Sequence, residues 1–147
     1  MLTPLAADRR IDRPGYAWLA IALEVFTALG AIPVGLMLLT DPTGAGVGFP
    51  SGWIEATPFG SYLVPGLYLF AMNGVAMLVL AALSIQRHRW APGLTVTLGA
   101  GLLIWIAVQV VVMPETSALQ AAFGAIGLTL IAVGVAWLRR LGWLRLG

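Results

Sequence analysis

The sequence predicts an all-α fold: a polytopic membrane protein built as an antiparallel bundle of four transmembrane helices. Three observations carry that expectation. The chain of 147 residues is 60% hydrophobic and only 10% charged, too apolar for a soluble domain of its size. Its apolar residues gather into four runs of about 20 residues or more, each sufficient for a hydrocarbon core of roughly 30 Å at about 1.5 Å per helical residue. Every basic residue lies between or beyond those runs.

The first run, Tyr16–Thr40, holds one charge, Glu24. The others, Tyr62–Gln86, Leu94–Met113 and Ser117–Leu138, hold none. They divide the chain into an arm (1–15), a membrane domain (16–138) with spans at 16–40, 62–86, 94–113 and 117–138, and a basic tail (139–147). The first run exceeds the 7–15 residues of a signal h-region and no small-x-small cleavage site follows it, so we expect a retained helix.

All eight bases are arginines, at 9, 10 and 13, at 87 and 89, and at 139, 140 and 145. Four spans put every one of them on the side of the two termini, while the opposite connections carry Asp41, Glu55 and Glu115. The positive-inside rule then predicts that both termini are cytoplasmic. Trp18, Trp90, Trp137 and Trp143 flank the arginine boundary, Trp53 and Tyr62 flank the other, and Trp105 falls mid-span. The tail RRLGWLRLG reads as an anchor for anionic headgroups or as a plain stop-transfer cluster, so membrane lipids are the first expected partners.

The connections at 87–93 and 114–116 are short, which predicts antiparallel neighbours. The loop 41–61, rich in Gly and Pro, is longer than a connection requires, and such loops are usually functional or disordered. Within it, Ser51 is expected to cap a short turn through Glu55, with Trp53 and Phe59 at headgroup level.

Composition excludes several classes. There is no Cys and a single histidine, His88, so disulfides, thiol chemistry and a histidine metal cluster are excluded, and no cofactor is expected. No continuous basic face interleaved with aromatics exists, so no nucleic-acid partner is expected. Without a nucleophile–base pair, a phosphate loop or paired carboxylates, the sequence reads as non-enzymatic.

Glu24 is the exceptional side chain. A charged carboxyl deep in a bilayer costs about 2.5 kcal/mol or more, so it must face protein or water. Ala17, Ala20, Glu24, Thr27 and Ala31 share one helical stripe, and small residues there permit close helix approach. Counted from the arginine ends, Glu24, Asn73, Trp105 and Thr129 all come out about 12–18 Å deep, which makes them the candidate proton- or ligand-binding residues. Asn73 and Thr129 are the expected hydrogen-bond partners of Glu24, either in an exchange site or in a neutral structural lock.

Thr97, Gly101, Trp105 and Gln109 follow one another at i+4, with Trp105 expected to fill space beside Gly101. The fourth helix carries one stripe of Ala118, Ala122, Ala125, Thr129, Ala132 and Ala136 and another of Gln120, Gly124, Gly127 and Gly134. Two small-residue faces suit packing inside the bundle and against a second copy or a larger membrane complex. Pro33 between Gly30 and Gly35, and Pro65 beside Gly66, loosen two helices away from the arginine side.

The run AIALEVFTALG around Glu24 resembles the first helix of the small multidrug resistance transporters, four-helix proteins with one membrane-embedded glutamate. The resemblance implies proton exchange for cationic drugs, with Glu24 in the proton- and substrate-binding role. The arrangement DPTG, GFP, TPFGSYLVPGLYLF, RW, GLLIWIAVQVVVM and LQAAFGAIGL, over about 41–128, is similar to a set of small bacterial four-helix membrane proteins and implies only fold and location. The leading expectation is therefore a non-enzymatic inner-membrane protein acting through helix packing, as an oligomer, an accessory subunit or a binder of a lipid-like ligand. The alternative is a small proton-coupled exporter of cationic or hydrophobic compounds using Glu24.

Overall fold

The computed structural model describes residues 10–55, 57–113 and 115–144. Four helices in it are long and apolar enough to cross a membrane: a first span Ala17–Thr40, a second Leu63–Ile85, a third Ala91–Val112 and a fourth Ala118–Arg140. The protein is an all-helical, multi-pass membrane protein. No strand forms among the described residues, and one isolated bridge pairs Arg10 with His88.

Local chemistry explains the helix ends. The third span begins at Ala91 rather than Leu94, with Pro92 in the first turn, where a missing N–H is harmless. The fourth opens on a capping box: Gln120 N–H donates to Ser117 Oγ at 3.4 Å and Ser117 N–H donates to Gln120 Oε1 at 3.0 Å. It runs on through Arg139 and Arg140, whose charges suit the negative end of the helix dipole. The second span is α-helical over Leu63–Tyr68, π-helical over Leu69–Ala76 and α-helical again over Met77–Ile85. A π turn admits extra residues per turn and so re-aims the side chains it carries; here it buries Asn73 and Gly74.

The first span packs most closely on the second, and the third on the fourth. First and fourth, and second and third, are looser neighbours, which leaves the first and third facing each other across a diagonal. Glycine makes the two tight pairs. A Cβ at Gly35 would stand 2.7 Å from the backbone nitrogen of Phe70, and one at Gly134 would stand 2.6 Å from Val96 Cγ2 and 2.9 Å from the Pro92 carbonyl oxygen. Ala20, Ala28, Met77, Leu80, Leu98, Leu102, Leu130 and Val133 form the central core.

The stripe Ala17, Ala20, Glu24, Thr27 and Ala31 is buried along its whole length. On the fourth span the glycine stripe turns inward, with Gln120, Gly127 and Gly134 buried, whereas Ala118, Ala122, Ala125, Ala132 and Ala136 are exposed.

The described part of the arm folds across the arginine end. Ile11 N–H donates to the Arg87 carbonyl at 2.9 Å, and Arg13 donates to the Ile85 carbonyl at 2.9 Å while stacking 4.2 Å from the Trp18 ring centre. Trp137 keeps its place at the arginine boundary but is not exposed there. It is fully buried against Ala17 and Ala91, and its indole N–H donates to the Asp12 carbonyl at 2.8 Å, because the arm covers it. Trp18, Trp90 and Trp143 remain exposed as an interfacial belt requires.

The long loop folds back over the opposite end. The Asp41 carboxylate accepts from Thr43 N–H, Thr43 Oγ1 and Gly46 N–H, contacts that hold its pKa below the ordinary 3.8. Tyr62 N–H donates to the Pro42 carbonyl at 2.9 Å, and Gly44, at φ +79°, sits against the Tyr62 ring where a Cβ would approach to 2.7 Å. A short helix spans Ser51–Glu55, as expected, although the Ser51 side chain lies outside the described residues. Its Ile54 is buried against Leu38 and Tyr62, and Trp53 is half-buried over the bundle, while Phe59 stays exposed.

Candidate functional site

Glu24 is completely buried. Helical side chains lean toward the N-terminus of their helix, so its carboxyl reaches down toward the arginine end. There Thr95 Oγ1, from across the diagonal, lies 3.0 Å from Glu24 Oε1 and also 2.9 Å from the Ala91 carbonyl of its own helix. The Ser84 hydroxyl, from the second span, faces the same carboxyl group. Neither Ser84 Oγ nor Glu24 Oε2 closes a hydrogen bond, so a small rotation of Ser84 would satisfy both. No ion pair reaches Glu24 among the described residues; the salt bridge present, Arg140 to Asp12 at 3.0 Å, is exposed.

These partners correct the expectation that Asn73 and Thr129 hold Glu24. Thr129 turns its hydroxyl to the Ala125 carbonyl at 2.8 Å. Asn73 is too far along the bundle: the glycine contacts set Gly74 level with Ile32, so Asn73 lies about 12 Å beyond Glu24 along the helix axis. Thr95 looks superficial in the sequence because the apolar run starts at Leu94; the helix starts a turn earlier, at Ala91. Ser84 is hidden by the lean of Glu24, which brings the carboxyl to a lower level than its Cα.

Asn73 and Trp105 belong to a different feature. A cavity of about 740 Å³ opens between all four spans on the loop side. Phe123, Trp105, Ile106 and Leu102 form walls, Phe49, Trp53 and Tyr62 close over it, and Thr27 and Asn73 line it at different depths, Thr27 nearer Glu24. Among the described residues no Arg or His lines it, and Glu115, on the connection between the third and fourth spans, is the one carboxyl that does. Tyr62, beneath the loop, has its phenol pKa raised by burial.

Trp105 takes its orientation from Tyr68, whose ring stacks on it with centroids 4.9 Å apart and planes 14° apart. Tyr68 also donates its hydroxyl to the Gly101 carbonyl at 3.1 Å. The space beside Gly101 is thus filled by Tyr68, whose oxygen would lie 3.4 Å from a Cβ there, and not by Trp105 as the spacing predicts.

Thr27 and Asn73 are each only 2% exposed, yet Thr27 Oγ1 and Asn73 Nδ2 have no hydrogen-bond partner. Thr27 is legible in the sequence as part of the Glu24 stripe but not as a site residue. Among the described residues no three His, Asp or Glu side chains gather as a metal ion would require. Comparison of the chain with protein-family models, with curated proteins and with solved structures finds no match.

Proposed function

We propose that the protein is a non-enzymatic binder of a small lipid-like molecule, held in the loop-side cavity of a bacterial inner-membrane bundle. One observation carries the reading: a cavity of about 740 Å³, walled by aromatic and aliphatic side chains, has a few polar residues, Thr27, Asn73 and Gln109 among them, in its lining. Ligand sites are concave, mostly apolar and furnished with a few polar groups, and this cavity has that composition. The arginine bias supports cytoplasmic termini, which turns the cavity toward the opposite leaflet. The exposed alanine face of the fourth span is a natural surface for a second copy or a larger complex.

Gly30 supplies the test. It lines the cavity, and a Cβ there would meet only Phe123 at 4.0 Å, so Gly30→Phe fills the space without striking backbone. Native mass spectrometry after mild-detergent extraction is expected to find a small molecule retained by the wild type and lost from Gly30→Phe. Equal retention by the two proteins, or none by either, overturns the reading.

A second reading, proton-coupled export through Glu24, draws support from one relationship. Glu24 and the cavity residue Thr27 are successive on one buried stripe, so the acid lies a single turn beyond the cavity's deep end. In vesicles Glu24→Gln would abolish proton-linked transport under that reading. Unchanged proton flux in the variant removes it.

A further inference from the structure

We propose that the seam between the first and fourth spans admits an acyl chain of a bilayer phospholipid whose amine-bearing, zwitterionic head stays outside the hollow, against Glu115. This assignment rests on the cavity being the binding site for a lipid-like molecule.

The seam is open where the two tight pairs are closed. An added Cβ at Gly35 or Gly134 would strike its neighbour at 2.7 or 2.6 Å, whereas one at Gly30 of the first span would meet only Phe123 of the fourth, at 4.0 Å. Three residues that line the hollow beside this seam also face outward: Phe26, 59% exposed, Leu119, 68% exposed, and Gly30. A wall that is both inner and outer surface marks an opening. The Phe26 and Phe123 rings, with centroids 6.1 Å apart and planes 24° apart, form its edge toward the arginines. The seam between the second and third spans differs, because the Tyr68–Trp105 stack joins it. Phe49, Trp53 and Tyr62 roof the hollow on the water side. The opening at Phe26 and Gly30, midway along the first span, therefore faces the hydrocarbon layer, where acyl chains and not water meet it.

The polar rim selects the head. Glu115 and Thr116, just before the fourth span, are exposed and line the mouth of the hollow. Ser117 and Gln120 beside them are already bonded to each other in the capping box. Among the described residues Glu115 has no ion pair. The connections at 41–61 and 114–116 contain no basic residue, so Asp41, Glu55 and Glu115 are the charges of this end. That field repels a net anionic head and offers it no basic partner. An ammonium group instead donates to the Glu115 carboxylate in a charge-assisted hydrogen bond. Phosphatidylethanolamine carries such a group, and phosphatidylglycerol with the same chains does not.

The test gives the detergent-solubilised full chain an equimolar mixture of those two lipids, each with palmitoyl and oleoyl chains, and reads retained copies by native mass spectrometry. The wild type is expected to retain phosphatidylethanolamine, and Glu115→Gln to lower its ratio to phosphatidylglycerol about threefold, the scale of an exposed ion pair. Gly30→Phe should lose that copy, as should Leu119→Trp, which crowds the mouth from an outward-facing position. Phosphatidylglycerol held by the arginines should persist in every variant. An unchanged ratio in Glu115→Gln overturns the head assignment, and undiminished phosphatidylethanolamine in both Gly30→Phe and Leu119→Trp overturns the seam. Loss of a different small molecule from Gly30→Phe, with lipid retention unchanged, overturns the phospholipid assignment while leaving the cavity reading intact. A wild type that retains no small molecule overturns the cavity reading itself.

Discussion

Thr95 and Glu24, 71 residues apart in sequence, meet across the diagonal of the bundle with 3.0 Å between their oxygens. The same Thr95 oxygen lies 2.9 Å from the Ala91 carbonyl, and a single hydroxyl proton serves one acceptor at full strength. A group at position 24 able to donate to Thr95 frees that proton for Ala91. An amide does this as well as a carboxylic acid. Glu24→Gln is therefore expected to keep thermal stability in detergent within about 1 kcal/mol, whereas Glu24→Ala should cost about 2–4 kcal/mol through the cavity it leaves and the lost contact with Thr95. Equal losses in the two variants would contradict a stabilising hydrogen bond between positions 24 and 95.

Gly134 and Gly124 lie on the same inward stripe of the fourth span but meet different neighbours. A methyl group at Gly134 strikes Val96 and the Pro92 carbonyl, while at Gly124 it meets only Ile106 at 3.9 Å. Gly134→Ala should destabilise by about 1–3 kcal/mol through forced separation of the third and fourth spans. Gly124→Ala should be neutral or gain up to about 1 kcal/mol from helix propensity. Denaturation in mixed micelles distinguishes them, and a reversed order would show that this helix pair is wrongly registered.

Trp137 holds the arm by one bond, from its indole N–H to the Asp12 carbonyl at 2.8 Å. Trp137→Phe keeps most of the buried ring and removes the donor, at a cost of about 1 kcal/mol. Hydrogen exchange at Ile11, whose N–H donates to the Arg87 carbonyl, should accelerate in the variant. Protection identical to wild type would mean that the arm is held by its other contacts alone.

The loop has its own pH dependence. Asp41 has a folded pKa below its ordinary 3.8, because Thr43 and Gly46 donate to the carboxylate. Its contribution is complete above that ordinary value and is lost as pH falls through the lower folded value. Limited proteolysis of the loop should therefore be constant from about pH 5 to 8 and rise only in strong acid. Asp41→Asn, which lacks the second anionic acceptor, should show the faster cleavage already at neutral pH. Cleavage rising between about pH 5 and 6 would point to another group.

How much of the molecule is legible in the sequence depends on what each feature is made of. The four helices follow from apolar length, and the burial of Glu24 follows from the small residues sharing its stripe. Both are local properties. The partners of Glu24 are not local: they depend on a helix start displaced from Leu94 to Ala91 and on the downward lean of a long side chain. Trp137 looks interfacial because nothing in a polar arm signals that it will fold onto a tryptophan 125 residues away. The π turn leaves no mark on hydropathy, which is blind to one residue more or less per turn. A cavity is least legible of all, since it arises from where side chains of separate helices fail to meet.

The arm has a mechanical consequence. It is tied at Ile85 and Arg87 to the end of one glycine-zipped pair and at Trp137 and Arg140 to the end of the other. The two halves are thus clasped at the arginine end, whereas at the opposite end the loop 41–61 returns within one pair, from the first span to the second. Any breathing of the seam must open it from the unclasped side, as a clothes-peg opens at its jaws. Under the proposed binding reading, a ligand is expected to enter the hollow from the leaflet farthest from the arginines.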